Sequence, residues 1–334
     1  MTAQVVLGVG ASHSTLMNTN WDDVVHIDRA ERFRDGLRAA RDAVAAVRAD
    51  TVVLVGSNHF RGFWLDLVPA FTVGVGECVA SGESGTPGGP QRVDVPLARH
   101  VAQSLVDDEF DVAFSARMQI DHGQSHAIQY VLDGLDLPIV PLVVNVFAPP
   151  LPSLRRCDAL GAAVRRAVEA FDEDRRVVVV GSGGLSHRLP FPDWRAPHGD
   201  DEEFLVEAWL EGRESWRDYE VRRRQIVRAA TASINDAFDE DFLEQLSSGT
   251  VERTLEHTSR SLEALAGNGA QELRTWLVMS AALGHAPARR LAYEPMPEWL
   301  TGMAVAVLDP ETPRGVSDTE TDRDTDAGKV EATA

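Results

Sequence analysis

The amino-acid sequence predicts an α/β protein of three layers, with a mixed central sheet and a helical insertion. Three observations carry that prediction. Apolar runs alternate with amphipathic segments as far as residue 187, the order expected of strands covered by helices. Three of those runs end in a small-residue turn and then a histidine: VVLGVGASH at His13, TVVLVGSNH at His59 and VVVVGSGGLSH at His187. Beyond residue 198 the pattern turns helical and charged, with few apolar anchors.

In chain order, the first apolar run is a strand. Residues 28–50 form an amphipathic helix on Phe33, Leu37, Ala40, Val44 and Val47, with Asp28 as N-cap, and lead into a strand over 51–55. Such a β-α-β opening predicts a parallel pair. Residues 63–79 read as a strand or hairpin, 82–89 as a loop, and 96–105 as a short helix carrying His100 on the surface. His122 follows the apolar run 112–114 in a polar turn, then a helix runs to Gly134 and a strand over 139–146, which the APPLP stretch from Ala148 stops. A helix over 154–171 feeds the valine strand. Residues 200–211 and 215–246 are helical, as a cap over the site or an oligomer contact. One more helix spans 252–266, Gly267 to Gly269 break it, and an apolar helix follows with Glu272 in its first turn. TGMAVAVLD closes the fold as a strand, and residues 309–334 are acidic, without apolar periodicity, and read as a disordered tail.

Composition narrows the function. The 334 residues are 44% hydrophobic and 25% charged, ordinary for a soluble globular protein. The net charge of −20 argues against nucleic acid, and the basic run at residues 222–224 reads as a solvated helix face. Cys78 and Cys157 are far apart, which suggests neither a disulfide framework nor a thiolate zinc site and fits a reduced cytoplasm. No apolar run approaches the ~18 residues of a membrane span. Lys329 is the only lysine, so a Schiff-base or P-loop lysine is excluded.

GVGASH at Gly8 and GVGECV at Gly74 are half of a dinucleotide fingerprint, each lacking the third glycine. The SGGL before His187 is an anion nest or, more simply, a turn that aims the ring. His26, His100, His257 and His285 read as structural or exposed. His13 and His59 differ, since each follows a strand end, where open α/β sheets bind ligands. Two neutral imidazoles with one carboxylate make the facial triad of non-haem Fe(II) enzymes, and zinc is equally allowed. Spacing alone does not choose the carboxylate, and Glu77 and Glu298 stay open beside the helix-start Glu272.

Taken together, GASHSTL, VGSNHFRGFWLD, MQIDHG, GSGGLSH and ELRTW resemble the class III extradiol ring-cleavage dioxygenases, the LigB-type family, and within it the branch acting on 2,3-dihydroxyphenylpropionate. The similarity keeps its order from the first strand to PMPEWLTG near residue 302. It implies a LigB-like catalytic domain over residues 1–308, with Fe(II) held by His13, His59 and Glu272. It implies His187 as the proton acceptor from a catechol, His122 as the proton donor in O–O cleavage, and Asp121 as a supporting residue. The partners would be a 3-substituted catechol and O2, without nucleic acid or membrane, in a cytoplasmic homo-oligomer of phenylpropanoid degradation. The product would be a 2-hydroxy-6-oxo-nona-dienedioate. Two departures bear on substrate preference: His126 adds an imidazole near His122, and Arg188-Leu189 follows His187, with Arg188 a candidate for a substrate carboxylate. The rival readings are a dioxygenase for another catechol, a non-catalytic metal- or peptide-binding member of the same fold, and a zinc hydrolase.

Overall fold

The computed structural model describes residues 2–310; the tail expected over 309–334 lies, from residue 311 onward, outside the described residues. The first half runs β1 (Gln4–Ala11), α1 (Thr15–Thr19), α2 (Ile27–Ala46), β2 (Thr51–Ser57), β3 (Phe71–Ser81), β4 (Gly88–Gln91), α3 (Val95–Asp107), β5 (Ala113–Ile120), α4 (His122–Tyr130), β6 (Ile139–Val144), α5 (Leu154–Glu169) and β7 (Arg176–Ser182). Five helices follow: α6 (Gly199–Glu211), α7 (Trp216–Ala229), α8 (Asp236–Ser248), α9 (Glu252–Leu255) and α10 (Ser259–Ala266). The chain ends with α11 (Leu273–Ala282), β8 (Ala288–Met296) and β9 (Thr301–Leu308). Among the described residues no helix is long and apolar enough to cross a membrane.

The strands form one mixed sheet in the order β4-β3-β6-β2-β7-β1-β9-β8, with β5 paired to β3. Its centre, β6-β2-β7-β1, is parallel, and β3 and β9 attach to it antiparallel. The valine run explains the layers. Side chains alternate across a strand, so Val177 and Val179 enter the core beneath α5 and α11, while Val178 and Val180 enter the core beneath α2 and α4. All four are fully buried, each worth about 1.5–3 kcal/mol. The glycines of GVGASH serve this packing and not a nucleotide: a Cβ at Gly10 would collide with the Trp276 ring of α11.

Several expected boundaries move for local reasons. The strand before His122 extends to Ile120, its outward residues so exposed that apolar periodicity is weak, and His122 opens α4 instead of sitting in a turn. Residues 215–246 are two helices, because Asn235 caps α8 with its side chain accepting from Phe238 N (3.1 Å). Residues 252–266 also divide, where Thr258 and Ser261 form a capping box. Helix α2 begins at Ile27, with His26 and not Asp28 at its cap. Strand β8 had no sequence reading, since ARRLAYEPM is an edge strand with half-exposed, unalternating positions.

The basic run is not a solvated face throughout. Arg222 and Arg224 are exposed, but Arg223 is buried one turn from buried Glu220. Glu220 accepts from Arg223 Nε and Nη2 (2.8 and 2.9 Å), Arg224 Nε (2.7 Å) and Arg61 Nη2 (2.9 Å), which ties α7 to the loop after β2. Burial would raise the Glu220 pKa, but these arginines, Arg223 foremost, hold it at about 2, below the usual 4.5. A folded-state value below the unfolded one gives stability that is present above pH 4.5 and is lost as pH falls toward 2. Urea denaturation from pH 7 to pH 2 should therefore show wild type weakening steeply through that window. Glu220→Gln should start about 3 kcal/mol less stable at pH 7 and weaken less. Parallel pH profiles for the two proteins would refute this.

Candidate active site

Strands β1, β2 and β7 are parallel neighbours, so their carboxyl ends open on one edge of the sheet. His13 lies just past β1, His59 just past β2 and His187 beyond β7, while Glu272 enters from the turn before α11 and His122 from the start of α4. All five are buried and line one cavity of about 50 Å³, walled on its apolar side by Leu189, Phe191 and Trp299.

Glu272 is the centre. Its Oε1 lies 3.2 Å from His13 Nε2 and 3.4 Å from His59 Nε2, and its Oε2 lies 4.0 Å from His187 Nε2. Ser57 Oγ donates to Oε1 (2.5 Å) and Gly184 N to Oε2 (2.7 Å). Burial opposes ionisation, yet His13 and His59 hold the carboxyl well below its usual range. The competing carboxylates are elsewhere. Glu77 is exposed near Arg117, and Glu298 accepts from the backbone and ring of His26.

Each histidine is fixed through Nδ1. His13 Nδ1 meets Ser182 Oγ at 3.0 Å, and His59 Nδ1 meets Asp121 Oδ1 at 3.2 Å. Asp121 also accepts from His59 N (2.5 Å) and caps α4 through Gly123 N, so it supports His59 although its chain neighbour is His122. Burial would lower the His59 pKa, but Asp121 and Glu272 raise it to about 10, so this ring attracts positive charge. His122 Nδ1 meets Glu83 Oε1 at 2.7 Å, and burial, then His59, push its pKa well down. His187 Nδ1 lies 2.8 Å from Leu185 O, an acceptor only, so the proton sits on Nδ1 and Nε2 carries the lone pair. Burial lowers the His187 pKa as well.

The residues suit a metal ion. His13 Nε2 is buried and without a hydrogen bond despite its approach to Glu272, an orphaned donor atom facing a carboxylate. Two imidazoles with seated Nδ1 atoms and one ionised carboxylate are the two-histidine, one-carboxylate donor set, with outer hydrogen bonds orienting it. Ring nitrogens of His13, His59 and His122 also come within 4.8 Å of one another. His126 is buried against His13 and Tyr130 with neither ring nitrogen partnered, and burial drives its pKa well down. Arg188 lies outside the cavity, half exposed and 3.9 Å from Glu263.

Sequence reasoning missed Glu83, Ser57, Ser182 and Arg223. Glu83 stood among glycines in a segment read only as a loop; Ser57 and Ser182 looked like turn residues; Arg223 was hidden in a charged run, where the Glu220-Arg223-Arg224 spacing was the available signal. The Gly267 to Gly269 break has a second purpose, because a Cβ at Gly269 would fall on the His187 ring at Nε2.

Residues 8–304 match the family described as the catalytic LigB subunit of aromatic ring-opening dioxygenase. The 2,3-dihydroxyphenylpropionate/2,3-dihydroxicinnamic acid 1,2-dioxygenases of Escherichia coli strains K12 and O139:H28 are each 31% identical over 308 residues, 87% of this chain and 94% of theirs. The crystal structure of the uncharacterized protein JW3007 from Escherichia coli K12 shares the fold, with a TM-score of 0.53 at 16% identity over 91% of this chain and 99% of that one. The chain belongs to the LigB family of aromatic ring-opening dioxygenases and is an extradiol ring-cleaving enzyme.

Proposed function

We propose that the enzyme opens a 3-substituted catechol carrying a carboxylate side chain, 2,3-dihydroxyphenylpropionate or its cinnamate analogue, with Fe(II) held by His13, His59 and Glu272. The observation that carries this reading is the convergence of His13 Nε2 and His59 Nε2 on one oxygen of buried Glu272, with two further imidazoles lining the same cavity. Fe(II), when bound, supplies the electrons and the template that make O2 reactive toward a chelated catechol. The catalytic unit in this reading is residues 1–308.

The protein's own part is proton traffic and positioning. His187 takes a catechol hydroxyl proton at Nε2, since Leu185 O fixes the other proton on Nδ1. Its lowered proton affinity keeps it a free base at neutral pH. His122 returns a proton as the oxygen–oxygen bond breaks. Adding O2 to a catechol consumes no net proton, so whatever the two rings take from the substrate they give back. Glu83 positions His122 and compensates the imidazolium that forms transiently, the same logic by which a carboxylate orients a catalytic histidine elsewhere.

Two predictions separate these roles. His13→Ala and His59→Ala should lose bound iron and turnover together, whereas His187→Gln and His122→Gln should keep iron and lose about 10³-fold in kcat. Metal analysis of anaerobically loaded protein, followed by 2,3-dihydroxyphenylpropionate, O2 and detection of the yellow ring-opened product, checks both halves. Full activity in either second pair would sink the role assignment, and activity on an ester with zinc alone would sink the oxygenase reading. Gly269→Ala should hold its iron yet lose about 10²-fold in kcat, because the added methyl displaces the His187 base. Wild-type turnover there would show that His187 has no fixed place in the reaction.

A further inference from the structure

The active-site cavity does not end at the histidines. A second, narrow cavity of about 20 Å³ adjoins it, with Thr15, Leu16, Arg223 and Val227 lining both. Arg224 and Arg228 line this extension too, so a channel between α1 and α7 presents three arginines from one helix. This basic channel lies in a chain of net charge −20.

Its arginines share few carboxylates. Arg61, Arg223 and Arg224 share the single carboxylate of Glu220, and Arg61 also approaches Glu83 at 3.4 Å. In these ion pairs three guanidiniums share two carboxylates, Glu83 also serving the His122 ring and Asp121 also acting on Arg223, and Arg228 adds a guanidinium whose hydrogen-bond partner is the neutral Asn20 side chain, at 3.5 Å. Arg223 is the cation that lines both cavities. Glu220 grips its Nε and Nη2, which sets the guanidinium plane and leaves Nη1 uncommitted to that carboxylate. Leu16 and Val227 flank the passage with apolar surface suited to methylene groups.

We infer that this channel receives the side chain of the ring substrate, a short aliphatic arm ending in a monoanionic carboxylate, and that Arg223 is the residue that binds the carboxylate. The inference rests on the catechol-cleaving reading above and assigns its specificity, a role for which Arg188, half exposed beside Glu263, does not line either cavity. The catechol ring occupies the histidine cavity, the arm passes Leu16 and Val227, and Arg224 and Arg228 draw the anion in.

The test is a ratio. Iron-loaded wild type and Arg223→Gln are compared for kcat/KM on 2,3-dihydroxyphenylpropionate against 3-propylcatechol, which has the same arm length class without the charge. Wild type should prefer the acid about 100-fold, and Arg223→Gln should lose most of that preference. Because Arg223→Gln leaves Glu220 short of a partner, Arg223→Gln/Glu220→Gln is measured beside it, with thermal melts for folding, and Arg228→Gln tests the far wall. A second readout avoids turnover altogether: calorimetric binding of 3-phenylpropionate and its amide to metal-free protein, where the acid should bind more tightly and Arg223→Gln should erase the difference. Equal use of both catechols by wild type, or an unchanged ratio in folded Arg223 variants, would overturn the inference while leaving ring cleavage standing. If wild type opens no catechol, the proposed function fails instead, and the phenylpropionate titration alone decides the channel.

Discussion

Glu272 is a carboxylate with 1% exposure, and an ionised carboxylate out of water costs several kcal/mol unless its lone pairs are met. The groups that meet them come from three strand ends: His13 after β1, Ser57 and His59 at and after β2, Gly184 after β7. The site therefore depends on the parallel register of β2, β7 and β1, since a slip by one residue would turn Ser57 or Ser182 to the opposite face. Conversely, the buried charge penalises any packing in which those ends fail to meet.

The helix that brings Glu272 has to lie close on the sheet, and that constraint accounts for small residues that otherwise look like ligand motifs. Gly10 leaves room for Trp276, whose indole donates to Gly183 O (2.8 Å), and Thr275 donates to Ser182 O (3.0 Å). Helix α11 is thus fastened to the loop after β7 that positions His187. From above, α8 fastens the same loop: Asp239 accepts from Ser186 N and Oγ (both 2.8 Å), and Asn235 N donates to Ser186 Oγ. The helical segment beyond residue 198 is consequently part of the site's frame and, through Arg223, of its wall.

What the sequence discloses and what it hides follow from the range of the interactions. Strands read as apolar runs because burial on both faces leaves no polar position to blur them, and the histidines at their ends stand out for the same reason. Glu272 was readable as a helix-start carboxylate, but setting it apart from Glu77 and Glu298 required knowing that α11 returns to β7 and, across more than two-thirds of the chain, to β1. Glu83 could not be read at all, because a single carboxylate in a glycine-rich loop has no periodicity. Arg223 was misread for a different reason: in a helix the neighbours of one buried residue are exposed, so a run of three arginines averages to a surface.

One residue type does several jobs here, and the partner at Nδ1 sorts them. A hydroxyl fixes the His13 ring, and a carboxylate on His59 raises that ring's affinity for positive charge. A backbone carbonyl on His187 pins one proton without supplying a negative charge, so burial wins and a free base results. Glu83 on His122 gives a ring that rests neutral under burial and His59 but has a counter-charge waiting when a proton arrives. His126 has no partner on either nitrogen and is left inert by burial. Five imidazoles within one buried cluster would repel one another if all were charged; burial lowers the proton affinity of His122, His126 and His187 while Asp121 and Glu272 raise that of His59, so neutral and charge-attracting rings share one small cavity.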